Sequence, residues 1–192
     1  MAFWKKSEAK QEQGQEKVKK SLGREIFEWI MVFVVAGALA LTVRTLIFEP
    51  VRVDGQSMMD TLLDGEFMIS TKYDYLLGNP ERFDIAICYY PNTSDGKYRV
   101  KRIIGLPGDK VYLHGDDLYI NDELVEQPFP LRHNSLKDYY IEKVPEGQYV
   151  VFGDNRGNSR DSRDVGTIPR SMIKGHVRVV VFPLTRIRFM EY

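Results

Sequence analysis

At 192 residues, 43% of them hydrophobic, the chain is long enough for one sizeable core with room for a small subdomain. Its 27 Lys/Arg balance 27 Asp/Glu, which excludes the strongly basic footprint of a nucleic-acid binder. A single cysteine, Cys88, excludes an intramolecular disulfide and a thiolate cluster, and His114, His133 and His176 show no ligand spacing, so no metal is expected.

Residues 1–24 are highly charged and of low complexity, the pattern of a solvated tail. From Trp29 to Val43 no residue is charged, and extension to Ile26 and Phe48 brings in only Glu28 and Arg44. Arg44 can snorkel to an interface, so residues 25–48 are predicted to form one membrane anchor. Seven Lys/Arg precede this span, which puts the N-terminus in the cytoplasm and the remainder outside. Ala36-Gly37-Ala38 and Ala38-Leu39-Ala40 look like leader cleavage sites, but both lie within the apolar run, which favours an uncleaved anchor.

The rest reads as strands: Val51–Val53, Glu66–Lys72, Asp84–Tyr90, Lys97–Ile104, Lys110–Leu113, Leu118–Ile120 and Glu123–Val125, then Tyr149–Phe152 and Val177–Phe182. The third and fourth are expected to form a hairpin around Pro91–Gly96, and Asn121-Asp122 a tight turn. Residues 126–140 look irregular, and helical periodicity is confined to Asp60–Leu63 and Pro169–Ile173. The predicted class is mainly β. Cys88, within an apolar strand, reads as a small core residue.

Three segments carry candidate chemistry. Ser57 follows Gly55 just beyond a strand, where glycine permits a turn and close substrate approach. Alone, that serine is an ordinary turn residue. Lys101 lies mid-strand between apolar neighbours; such a lysine commonly faces solvent, but a buried one loses its charge readily and can serve as a base toward a serine hydroxyl. The run Gly153 to Arg163 offers Asp154, Asp161, Arg156 and Arg163 as mutually pairing charges, with Ser159 as a further hydroxyl. It fails as a calcium loop, because Arg156 occupies a ligand position and Ser159 the required glycine.

Taken in order, these motifs resemble those of the bacterial type I signal peptidases with one N-terminal span. Gly55-Gln56-Ser57-Met58-Met59-Asp60-Thr61-Leu62 is similar to the family's nucleophile segment, and Tyr98 to Asp109 to its general-base segment. Gly153-Asp154-Asn155-Arg156 with Asn158-Ser159 and Asp161-Ser162-Arg163 resembles its last motif. The resemblance implies Ser57 as nucleophile, Lys101 as base, Ser159 as the hydroxyl orienting the lysine, an Asp161–Arg163 ion pair and an Asp154–Arg102 pair. It implies a β-rich catalytic core over 49–192 with a small inserted β subdomain at about 110–145. It also implies secretory preproteins as substrates at a bilayer surface, and no cofactor. Met58 is a candidate for the substrate pocket. Asp60 replaces the usual proline, and Gly55 stands where some relatives have an oxyanion-donating serine, so the Ser57 amide and a Gly55 backbone contact are left for that role. Three other readings stay open: a self-cleaving Ser–Lys repressor, a serine hydrolase using His176 or His133, and a tethered β scaffold without activity.

Overall fold

The computed structural model describes residues 22–46, 48–90, 98–132 and 137–190. The charged tail before Leu22, the Pro91–Gly96 turn and His133 lie outside the described residues. The chain divides into two compact units between Leu41 and Thr42.

Helix α1 (Leu22–Leu46) has Glu25 in its first turn and Arg44 in its last, each favourable to the helix dipole. Among the described side chains of α1 most are exposed and none is buried, and the stretch Leu22–Arg44, whose most apolar 18 residues have a mean hydropathy of 2.3, is long and apolar enough to cross a bilayer. At 1.5 Å per residue its 23 residues span about 35 Å, against roughly 30 Å of hydrocarbon. The helix stops at Leu46, short of the boundary expected from the sequence: Phe48 already belongs to β1 (Phe48–Arg52), paired with Thr71. Pro50 explains this, since it disfavours helical backbone in the preceding residue and offers no N–H to an i−4 carbonyl.

The second unit contains β2 (Phe67–Thr71), α2 (Tyr73–Leu77), β3 (Ile85–Tyr89), β4 (Tyr98–Gly105), β5 (Val111–His114), β6 (Asp117–Ile120), β7 (Glu123–Leu124), β8 (Tyr139–Ile141), β9 (Gln148–Phe152), α3 (Ser162–Val165), β10 (Ile168–Pro169), β11 (Ile173–Phe182) and β12 (Arg188–Phe189). The mainly β class and the inserted β subdomain hold. An eight-stranded sheet runs β1-β2-β11-β3-β4-β9-β10, with β12 also on β11, and a four-stranded sheet runs β7-β6-β5-β8. All strand pairs are antiparallel, and β3 and β4 form the expected hairpin pairing, Ile85 opposite Arg102 and Tyr89 opposite Tyr98. Asn121 and Asp122 have φ of 53° and 71°, the left-handed pair that a two-residue turn between β6 and β7 needs.

Four local expectations change. Asp60–Leu63 is a turn, not a helix; α2 was not anticipated; Tyr139–Ile141 within the irregular stretch pairs with β5; and the polar 153–163 run ends inside α3. The last change has a clear local cause. Asp161 caps α3 by accepting from the Arg163 N–H, and Asp164 reaches back to the Asp161 N–H, so the charges replace missing helical bonds.

Ile104, Val111, Leu113, Leu118, Phe129, Val150 and Phe152 form one buried cluster, which fastens the small sheet onto β4 and β9. A second cluster of Val53, Met58, Leu62, Met68, Ile85, Ile87 and Val177 lies under the segment that carries Ser57.

Candidate active site

Ser57 stands on a short turn held at both ends. Before it, the Val53 N–H donates to the Glu66 carbonyl at 2.8 Å, and Gly55 adopts φ of +99°, a conformation glycine allows. The Gly55 N–H donates to Asp64 Oδ1 at 2.8 Å, so that amide is engaged and does not serve an oxyanion, contrary to one sequence expectation. After it, the buried side chains of Met58 and Leu62 tie the turn to the core, and the Leu62 N–H donates to the Met58 carbonyl. Ser57 itself is left half-buried, and its own N–H has no acceptor among the described residues.

Lys101 enters from the centre of β4, opposite Ala86 of β3. It is 1% exposed, and its Nζ lies 2.6 Å from Ser57 Oγ and 3.0 Å from the Val100 carbonyl oxygen, to which it donates. Burial is the main reason its pKa falls from 10.5 to about 8; Asp161 and Cys88 oppose that shift and Arg99 adds to it. An amine poised there exists partly as the free base near neutral pH, with its lone pair within reach of a hydroxyl proton. Successive strand residues point to opposite faces, so the neighbouring Arg102 serves a different structure.

That structure is the 153–156 segment. Arg102 donates from Nε to Asp154 Oδ1 at 2.9 Å and from Nη2 to Asp154 Oδ2 at 2.7 Å, with both side chains buried. Arg102 also donates to the Phe83 carbonyl and stacks 3.8 Å above the Phe129 ring, while Thr61 donates to Asp154 at 2.5 Å. Thr61 belongs to the serine-bearing turn, so Asp154 ties that turn to β4. Asn155 completes the clamp: its N–H donates to the Ser57 carbonyl and its Nδ2 to the Gln56 carbonyl, each at 3.0 Å. Sequence reasoning missed Asn155, Thr61 and Asp64, although the first two lie inside its motifs.

The remaining predicted residues gather behind this clamp. Arg163 donates to Asp161 through Nε at 2.8 Å and Nη2 at 2.7 Å, and Asp161 also accepts from the Gly153 N–H. Burial by itself raises the Asp161 carboxyl, but the Arg163 guanidinium and the Gly153 amide outweigh it and hold the pKa below its usual value. Gly153 has no room for a side chain: a Cβ there collides with Ser159 and comes within 2.5 Å of the Ser57 carbonyl oxygen. Ser159 is therefore close to the Ser57 backbone; its buried hydroxyl lies beside Asp161, whose carboxyl it helps to keep ionised, without meeting the strict geometry of a hydrogen bond, and the structure shows no bond from it to Lys101. Asp60 is exposed and accepts from Arg132 Nε and Nη2 at 3.1 and 2.8 Å, which lowers its pKa. The Arg132 backbone in turn bonds to that of Asp154 and Arg156.

A cleft of about 270 Å³ opens on Ser57 and Lys101, with Val53, Gly55, Met58, Ile87 and Val100 among its walls. A larger cavity of about 700 Å³ lies elsewhere, around Asp74, Tyr75, Asp84 and His176. There both His176 ring nitrogens face carboxylates, Asp74 at 3.4 Å and Asp84 at 3.5 Å, and the ring stacks on Tyr75. No nitrogen is left over for Ser57, so the serine–histidine reading loses its candidate among the described residues.

Residues 26–182 match the sequence model of the family described as "Signal peptidase, peptidase S26". A signal peptidase I of Bacillus licheniformis is 40% identical over 85% of this chain and 92% of its own length. Another of Bacillus amyloliquefaciens is 40% identical over 90% of this chain and 94% of its own. The chain belongs to the signal peptidase family. It is thus a serine endopeptidase of the signal peptidase kind, and Ser57, Lys101 and most of the second unit fall inside the matched region. A crystal structure of a signal peptidase I from Enterococcus faecalis aligns with 52% of this chain and 97% of its own, at 33% identity and a TM-score of 0.45.

Proposed function

We propose that the protein is a membrane-anchored endopeptidase that removes N-terminal signal peptides from secretory preproteins, with Ser57 as nucleophile and neutral Lys101 as general base. The observation that carries the reading is the 2.6 Å approach of Lys101 Nζ to Ser57 Oγ in a site where the lysine is buried. The family supplies the substrate class.

In this mechanism Nζ takes the hydroxyl proton as Oγ bonds to the scissile carbonyl carbon. The oxyanion forms beside the Ser57 N–H, and the protonated amine then gives its proton to the leaving peptide amine. In deacylation Nζ takes a proton from a water whose oxygen bonds to the acyl carbon; the bond from that carbon to Oγ then breaks, and Nζ returns the proton to Oγ, freeing the carboxyl product and restoring Ser57 and neutral Lys101. Asp154, Arg102, Asp161 and Arg163 hold the turn and the base in register, Ser159 lies beside them against Gly153, and Met58 lines the cleft that receives the substrate. All steps use protein groups and water. The anchor α1 places the catalytic unit at the outer bilayer surface, its N-terminus cytoplasmic, as the excess of Lys/Arg ahead of the span suggests. Nucleic acid has no part in this reading.

The test is cleavage of a preprotein by the purified full chain in detergent micelles. Ser57→Ala and Lys101→Ala are each expected to lower kcat by about 10⁴-fold or more while circular dichroism stays unchanged. Near-normal turnover by Lys101→Ala refutes the assignment of the base.

A further inference from the structure

A second depression of about 560 Å³ continues the cleft, sharing Val51, Arg52, Ile87 and Tyr98 as walls with it. The two make one trough between β1 and the start of β4. Cross-strand register sets Glu49 beside Ser70, Ser70 beside Val177 and Ile87 beside Gly175, so Glu49, Ser70 and Ile87 share one face of the sheet. Two features of the distal half are unexplained by the catalytic machinery. Ser70 is 1% exposed, and its hydroxyl, packed against Gly175, has no hydrogen-bond partner among the described residues. The rim is also cationic: Arg52, Lys72 and Lys174 line it against one carboxylate, Glu49, which Lys72 meets at 2.9 Å.

The geometry points to an occupant, and this inference rests on the signal-peptidase reading above. We propose that the distal half of the trough is a subsite for the signal peptide upstream of the scissile bond, about six residues from it. We further propose that its rim disfavours Lys and Arg there and favours acidic or polar residues. The position follows from β1: Glu49 is six residues before Gly55 and eight before Ser57, β1 is extended only over Phe48–Arg52, and a peptide beside it rises about 3.3 Å per residue, which sets the subsite five to seven residues upstream. The direction follows from the chain. Glu49 is three residues from the last residue of α1, hence within about 11 Å of it. The part of a preprotein that lies closest to the bilayer is the apolar segment preceding the cut.

The test uses the full chain in micelles with a peptide series carrying Asp or Lys in turn at the fifth, sixth and seventh positions upstream of the cut. A second series ends four residues upstream. The unsubstituted enzyme is expected to cleave the Asp peptides with kcat/KM roughly fivefold above the Lys peptides, the size of a partly exposed charge contact. Lys72→Glu and Lys174→Glu abolish or invert that ranking and change the ratio of kcat/KM between long and short peptides. A purely structural role of the lysines shifts both series equally and overturns the proposal, as does an unsubstituted enzyme that cleaves all long peptides alike. Failure to cleave any peptide, long or short, overturns the signal-peptidase reading itself.

Discussion

Lys101 combines two properties that oppose each other in stability and cooperate in chemistry. A buried amine favours its neutral form, so the folded pKa lies at about 8 while the unfolded one stays near 10.5. In the proposed mechanism catalysis by the free base rises with pH, so kcat/KM should show an acid limb with a midpoint near 8; a profile flat down to pH 5 contradicts the role proposed for Lys101. Stability follows the same shift with its sign worked through linkage. Below about pH 8 both folded and unfolded states carry the proton and the fold bears the whole cost of a buried ammonium, roughly 3 kcal/mol. Between pH 8 and 10.5 the unfolded chain binds more protons, so stability rises with pH across that window. Lys101→Met is therefore expected to be inactive yet more stable than the parent at pH 7 in urea unfolding, with the gap narrowing toward pH 10.

Elements meet at the site through buried charge and backbone contact. Asp154 joins β4 to the serine-bearing turn through Arg102 and Thr61, and truncation of one partner leaves the other charged and buried. Asp154→Ala should cost about 3–5 kcal/mol in a urea titration, whereas Asp60→Ala at the exposed Arg132 pair should leave the midpoint nearly unchanged. Gly153 reports a different coupling. A methyl group there must displace either Ser159 or the Ser57 carbonyl, so Gly153→Ala is expected to reduce kcat by about 10²-fold with native circular dichroism retained. A variant with unchanged kcat shows that the 153–156 segment does not set the position of Ser57.

At the scale of the whole molecule, the apolar helix α1 and the β unit are separate pieces of physics. No residue in the apolar window of α1 is buried, so its apolar side chains are suited to lipid. A chain of residues 48–192 should consequently keep the thermal midpoint of the full protein measured in micelles and lose its co-sedimentation with vesicles. A fall of many degrees in that midpoint shows instead that the helix supports the fold.

Much of this was legible one residue at a time. The long apolar helix, the mainly β class and the Asn121-Asp122 turn come from an uncharged run, from alternation and from left-handed turn residues, all of which are local properties of the chain. The candidates Ser57, Lys101 and the 153–163 run could also be named, not from any one of them, which alone is ordinary, but because the three motifs in order resemble those of one family. What no local pattern contains is that Lys101 and Ser57, 44 positions apart, meet at 2.6 Å, or that the lysine is dry. Asn155 under the Ser57 carbonyl, Asp64 on the Gly55 amide and the unsatisfied hydroxyl of Ser70 are equally silent in sequence. Proximity and desolvation arise only when distant strands pack, and those two quantities are what the proposed mechanism requires of an ordinary alcohol and an ordinary amine.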